Sequence, residues 1–264
     1  MKIGRRNRIK YTVARHFSDL PKVRRNEILF VPSDNRILEN PPWSNASTKP
    51  EWWKRQDKAN GSIRTCHGTN DFISLGVTLP MWTNVTVRPT PDGKDFELRA
   101  DQFSRPPEGE TLGVHHIEGF RAGSVKDCPF SSQRKIDGHY PKLVTPWTTM
   151  TAPGYSTLVL PTILEPHPEY TVMPGVVHTD YYHVINIVLI VNTDKQFTIP
   201  VGRPMYQLIP FKRSDGMAKV LEGDQSMHRF LSGRGTGEMY LGNHERKKSY
   251  KREQRKADER AKRK

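Results

Sequence analysis

The sequence predicts an all-β domain between two basic extensions, and three observations predict it. Short runs rich in β-branched and aromatic residues recur between residues 61 and 215, separated by prolines and glycines every 8–12 residues. No stretch in that interval has a clear helical period. The charge, finally, sits at the ends of the chain. Of the formal net charge of +14, residues 1–25 hold +8 and residues 245–264 hold +7, which leaves about −1 for the middle.

Composition sets the bounds. At 34% hydrophobic residues, the 264-residue chain can build one substantial core in its middle but not from end to end. No apolar run approaches the 18 residues of a membrane span, and the charged start Met1-Lys2-Ile3-Gly4-Arg5-Arg6 has no apolar stretch behind it. The expectation is a soluble, intracellular chain with no membrane partner. Cys66 and Cys128 are too few for a disulfide framework and lack zinc spacing.

The elements follow in order. Residues 1–60 read as a basic leader, apolar only over Glu27–Val31, with Trp43, Trp52 and Trp53 set among prolines and basic residues. Aromatics so placed either stack on bases or clamp a loop onto a sheet. The β-domain of 61–215 has strands expected at Phe72–Leu79 and Asn84–Val87, then at Phe96–Leu98 after the turn Thr90-Pro91-Asp92-Gly93. Further strands are expected at Leu143–Val144, Ser156–Leu160, Tyr170–Met173, Val184–Val191, Gln196–Ile199 and Met205–Pro210. Val184–Val191 is almost continuously apolar, which predicts cover on both faces. Residues 216–264 form a Gly-containing arm and a basic tail, whose last twenty residues suit an exposed helix. Both basic ends are expected to attract a polyanion such as DNA, RNA or nucleotide, with affinity falling steeply as salt rises.

The most specific stretch is 153–213. It runs through Pro153-Gly154-Tyr155-Ser156 and Gly175-Val176-Val177-His178-Thr179-Asp180-Tyr181, then a strand ending at Asn192. Phe197-Thr198-Ile199-Pro200-Val201-Gly202 and Tyr206-Gln207-Leu208 close it. This order resembles the dUTPase and dCTP-deaminase superfamily over under a quarter of the chain. It is also similar to phage-encoded proteins with a Gly-Val-Val-Asp/Glu-Thr-Asp core, which suggests a viral origin. The resemblance implies a distorted jelly-roll barrel and a homotrimer with nucleotide sites between subunits. Mg²⁺ would be the only cofactor, and only with a nucleotide bound. It further implies that Tyr181 packs on a deoxyribose, that Asp180 is the second, structural carboxylate, and that Gln207 lies near phosphates. Arg234, Gly235, Thr236 and Gly237 would belong to a Gly-rich arm closing over the nucleotide, where glycines let backbone N–H groups approach phosphate.

Two departures matter. His178 stands where the family has the carboxylate that deprotonates the attacking water, and Pro161-Thr162-Ile163-Leu164 stands where it has the phosphate-binding Pro-Arg-Ser-Ser-Leu. The expectation is a catalytically divergent protein that binds nucleotide or nucleic acid, or serves as an accessory or virion component. One alternative is an active nucleotide pyrophosphatase or deaminase-like enzyme with His178 as base. A second is a jelly-roll Fe(II) oxygenase with His178, Asp180 and His228 as ligands, since alternate strand residues share a face. His115-His116-Ile117-Glu118 lacks a second motif and reads as a loop or surface pair.

Overall fold

The computed structural model describes residues 20–33, 35–57, 62–91, 96–100, 140–162, 165–214, 216, 226, 252 and 255–261. The chain divides into two compact units: residues 1–48 with 75–213, and residues 49–74 with the chain from 214 onward.

The first unit is all-β, as the sequence predicts. Its strands are β1 (Leu29–Pro32), β2 (Trp43–Ser44), β3 (Val77–Pro80), β4 (Val85–Pro89), β5 (Phe96–Ala100), β6 (Lys142–Met150) and β7 (Tyr155–Pro161). They continue with β8 (Tyr170–Val172), β9 (Gly175–Val177), β10 (Val184–Val191), β11 (Phe197–Ile199) and β12 (Pro204–Lys212). Three sheets form, in the orders β1-β6-β10-β8, β11-β4-β5 and β2-β3-β12-β7-β9. Every described pairing is antiparallel, and most neighbours are not consecutive in the chain. That winding is consistent with a jelly roll and excludes a simple meander.

Period-2 patterning explains the core. Leu143, Thr145, Trp147 and Thr149 of β6 are buried while the residues between them are not. Val85 and Val87 do the same on β4. Phe30 of β1 meets the Trp147 ring edge-on at 6.1 Å, and Tyr170 stacks on Phe197 at 5.6 Å. Each fully buried aliphatic side chain contributes about 1.5–3 kcal/mol relative to exposure.

Four expectations change. The leader is not separate from the sheets, because β1 pairs with β6 and β2 with β3. The apolar run Glu27–Val31 found a partner more than a hundred residues away, beyond the reach of a local pattern. Phe72–Leu79 is not one strand: it splits into the end of a helix and β3, with Leu75-Gly76 between. Gly76 has φ +67° and lies so close to β12 that a Cβ there would stand 2.0 Å from the Leu208 carbonyl oxygen. Val184–Val191 is covered on both faces only from Leu189 onward; before that, Ile185 and Ile187 are buried and their neighbours half-buried. β9, finally, was not expected as a strand.

In the second unit, α1 spans Glu51–Arg55 and α2 spans His67–Ser74. α2 is two turns long, and of its residues only Ile73 is buried. Trp53 is buried with Trp52 edge-on at 5.6 Å, which fits the packing role for these tryptophans. Residues 255–261 are helical and exposed. Among the described residues no helix is long and apolar enough to cross a membrane.

Candidate functional site

The site grows from a turn that the sequence encodes directly. Ala152-Pro153-Gly154-Tyr155 has Pro at its second position, Gly at its third with φ +79°, and a Tyr155 N–H to Ala152 O bond of 3.0 Å. That is type II turn chemistry. It leads into β7, whose first residues lie against β9 on one side and the end of β12 on the other. Both Tyr181 and Tyr182 donate backbone N–H groups to the His178 carbonyl, so the chain turns as soon as β9 ends.

That turn sorts the motif residues. Thr179 points inward, fully buried, and its hydroxyl lies 2.8 Å from those of Thr151 and Thr157. Asp180 is held by Arg213 from the end of β12, with both guanidinium contacts at 2.6 Å, and accepts the Gly154 N–H at 2.9 Å. These donors hold its carboxyl down at about 2, the Arg213 hydrogen bonds being the largest cause. His178 is exposed, with Nδ1 2.8 Å from the Ser156 hydroxyl. Tyr181 is 67% exposed, stacks on His178 at 5.5 Å, and has the Arg213 guanidinium 5.9 Å from its ring centre. Tyr182, also half open, and Val176 widen the exposed apolar surface on this loop and its strand.

The result is an outward-facing plate of two rings on a rigid polar base. It can stack a planar group and hydrogen-bond its edge. Among the described residues the carboxylate it contains, Asp180, is engaged by Arg213 and Gly154 and is not free to activate water.

His178, Asp180 and Tyr181 thus come together, and Gln207 does not join them. Ser156 pairs with Phe211 on β12, four residues from Gln207 and so about 13 Å along the strand. Gln207 is buried and donates to the Leu75 carbonyl at 3.0 Å. His178 and Asp180 do not share a strand face either, because β9 stops at Val177. The turn sends one side chain to Ser156 and the other to Arg213. Among the described residues no group of three His, Cys, Asp or Glu can hold a metal. His228, Arg234, Gly235, Thr236 and Gly237 lie outside the described residues, as do His115, His116, Glu118, Ile163, Leu164 and Cys128.

Sequence reasoning missed Arg213 and gave no role to Ser156. Arg213 marks the end of the strand pattern but belongs to no motif. Its pairing with Asp180, 33 positions away, needs the register of β12 on β7.

No protein-family model matches the chain, and no curated protein matches it by sequence. A search of solved structures finds it similar to a point mutant of the dUTPase of phage 80alpha, from work on the link between that enzyme's activity and its SaPI-inducing capacity. The two share 10% identity at a TM-score of 0.33, over 76% of this chain and 99% of that one. At that distance no residue of one chain can be assigned from the other.

Proposed function

We propose that this chain is a catalytically divergent, dUTPase-like protein of phage type that binds a nucleotide unit without hydrolysing it. The observation that carries the reading is the state of the carboxylate. Asp180 is engaged by Arg213 and Gly154, and in the motif resemblance His178 stands where the family has its water-activating carboxylate. What the loop offers instead is the exposed His178–Tyr181 stack beside a guanidinium, a combination suited to a base or sugar ring with phosphate nearby. The unit can be a free nucleotide or part of a single strand. In the second case the basic ends, +8 and +7, would add counterion-release affinity.

The test is a thermal-shift panel of deoxy- and ribonucleotides and a short single-stranded oligonucleotide, with and without Mg²⁺, followed by chromatography of any hit. A ligand at 100 times its Kd adds about 2.7 kcal/mol. The expected result is stabilisation with the ligand recovered intact. Conversion to a product, abolished by His178→Ala, would replace this reading with the enzyme alternative. No stabilisation by any of these ligands would remove it.

A further inference from the structure

We infer that Ser156 and Arg213 fix His178 in the Nε2–H tautomer, so that the exposed edge of the ring is a hydrogen-bond donor that selects ligands bringing an acceptor oxygen, such as a phosphoryl group. This deepens the reading above and rests on it for the ligand, but not for the tautomer.

The reasoning is a proton count. Arginine only donates, so Arg213 Nη1, whose second proton is shared between the Ser156 oxygen at 3.2 Å and the Tyr155 carbonyl at 3.3 Å, offers the Ser156 hydroxyl no acceptor on that side. The Ser156 hydroxyl has its one proton to place, and its residue is fully buried, away from bulk solvent. Among the described residues its one other partner is His178 Nδ1, at 2.8 Å. Were Nδ1 protonated, it would donate to the same oxygen and the serine proton would have no acceptor, at the full desolvation cost of a buried hydroxyl. The serine therefore donates and Nδ1 accepts. The neutral ring then carries its proton on Nε2, pointing away from Ser156.

Arg213 itself is set by the bidentate Asp180 contact and by the Tyr155 carbonyl, which its Nη1 also reaches at 3.3 Å. The chain of control thus runs Asp180, Arg213, Ser156, His178. Ser156 is a positioning residue here, and Arg213 positions Ser156 through its inner face while its guanidinium also borders the proposed ligand site beside Tyr181. The same tautomer takes the lone pair off the exposed edge, so His178 has nothing there with which to remove a proton from water.

Long-range proton–nitrogen NMR on the full chain with labelled histidine, at a pH where the ring is neutral, reads this directly. The His178 signals are assigned as those missing in His178→Gln. The expected spectrum has Nδ1 as the unprotonated nitrogen and Nε2 as the protonated one. Ser156→Ala, a small change at a buried site, should move the ring toward a mixture of tautomers, and Arg213→Lys should do so in part. Inorganic pyrophosphate should shift the His178 Nε2–H signal and bind about twofold more weakly to Ser156→Ala, where an even mixture of tautomers leaves the donor on about half of the rings. A protonated Nδ1 in the unmodified protein, or an unchanged ring in Ser156→Ala, overturns the inference. The expected tautomer with no response to pyrophosphate overturns the acceptor selectivity. The expected tautomer with pyrophosphate bound but no nucleotide bound leaves the inference standing and removes the nucleotide reading.

Discussion

Two tetrapeptides of the same pattern lie eleven residues apart and end in opposite roles. His167-Pro168-Glu169-Tyr170 and His178-Thr179-Asp180-Tyr181 both place an acid and a tyrosine after a histidine, and in both the histidine stacks on the tyrosine three residues on. In the first, Glu169 Oε2 takes His167 Nδ1 at 2.5 Å, and the rings join Phe197 in a packed column whose Tyr170 is buried. In the second, Arg213 takes the acid, Ser156 takes the histidine, and the tyrosine stands in solvent. The acid's partner decides the outcome. Where the acid closes on its own histidine the cluster packs inside the fold; where a distant arginine claims it, the ring pair stays in solvent, where the proposed ligand would meet it.

The largest expected effect is a divergence between the two tyrosines. Tyr170→Ala should cost about 3–5 kcal/mol of stability in urea unfolding, as emptying a buried aromatic site does. Tyr181→Ala should change stability by no more than about 0.5 kcal/mol. For binding the order reverses. Loss of a stacking face should weaken nucleotide by about 1–3 kcal/mol, roughly 5- to 150-fold, in Tyr181→Ala when measured by calorimetric titration. Equal destabilisation by both substitutions would break the comparison.

Acid should separate the two clusters as well. Burial holds the His167 ring below its ordinary value of 6.5, so its contribution is present above that pH and is lost as pH falls below it. Asp180 is held down at about 2 from an ordinary 3.8, so its contribution is present above about pH 4 and is lost as pH falls toward 2. Stability measured against pH should therefore decline in two steps. His167→Gln should remove the upper step and Asp180→Asn the lower. Glu165, raised by burial, acts in the opposite direction and is common to both variants.

Much of this contrast was legible in the sequence, and its decisive part was not. The strand at Val184–Val191 can be read from its apolar run, and the grouping of His178, Asp180 and Tyr181 from the motif resemblance. The fate of Asp180 depends on Arg213, and the burial of Gln207 depends on a strand pairing; both are long-range facts. β1 was hidden for the same reason. The helix at His67–Ser74 escaped because its two turns are shorter than the window of about 11–18 residues over which a helical period can be read.

The smallest effect concerns the ends of the chain. Removing residues 1–25 and 245–264 should abolish salt-dependent binding to long DNA or RNA while leaving the nucleotide response of the His178–Tyr181 plate unchanged. Filter binding across a salt series measures the first and thermal shift the second. Full-strength DNA binding without the ends would move that function onto the β-domain.

One measurement tests the central claim most directly: incubation of the purified full chain with dUTP and Mg²⁺, with calorimetry for binding and chromatography for product on the same sample. Saturable heat with dUTP recovered intact, and an affinity weakened roughly 5- to 150-fold in Tyr181→Ala, is the result predicted for a binding plate whose carboxylate is engaged. Stoichiometric or catalytic release of monophosphate, lost in His178→Ala, would contradict it and make His178 a catalytic base.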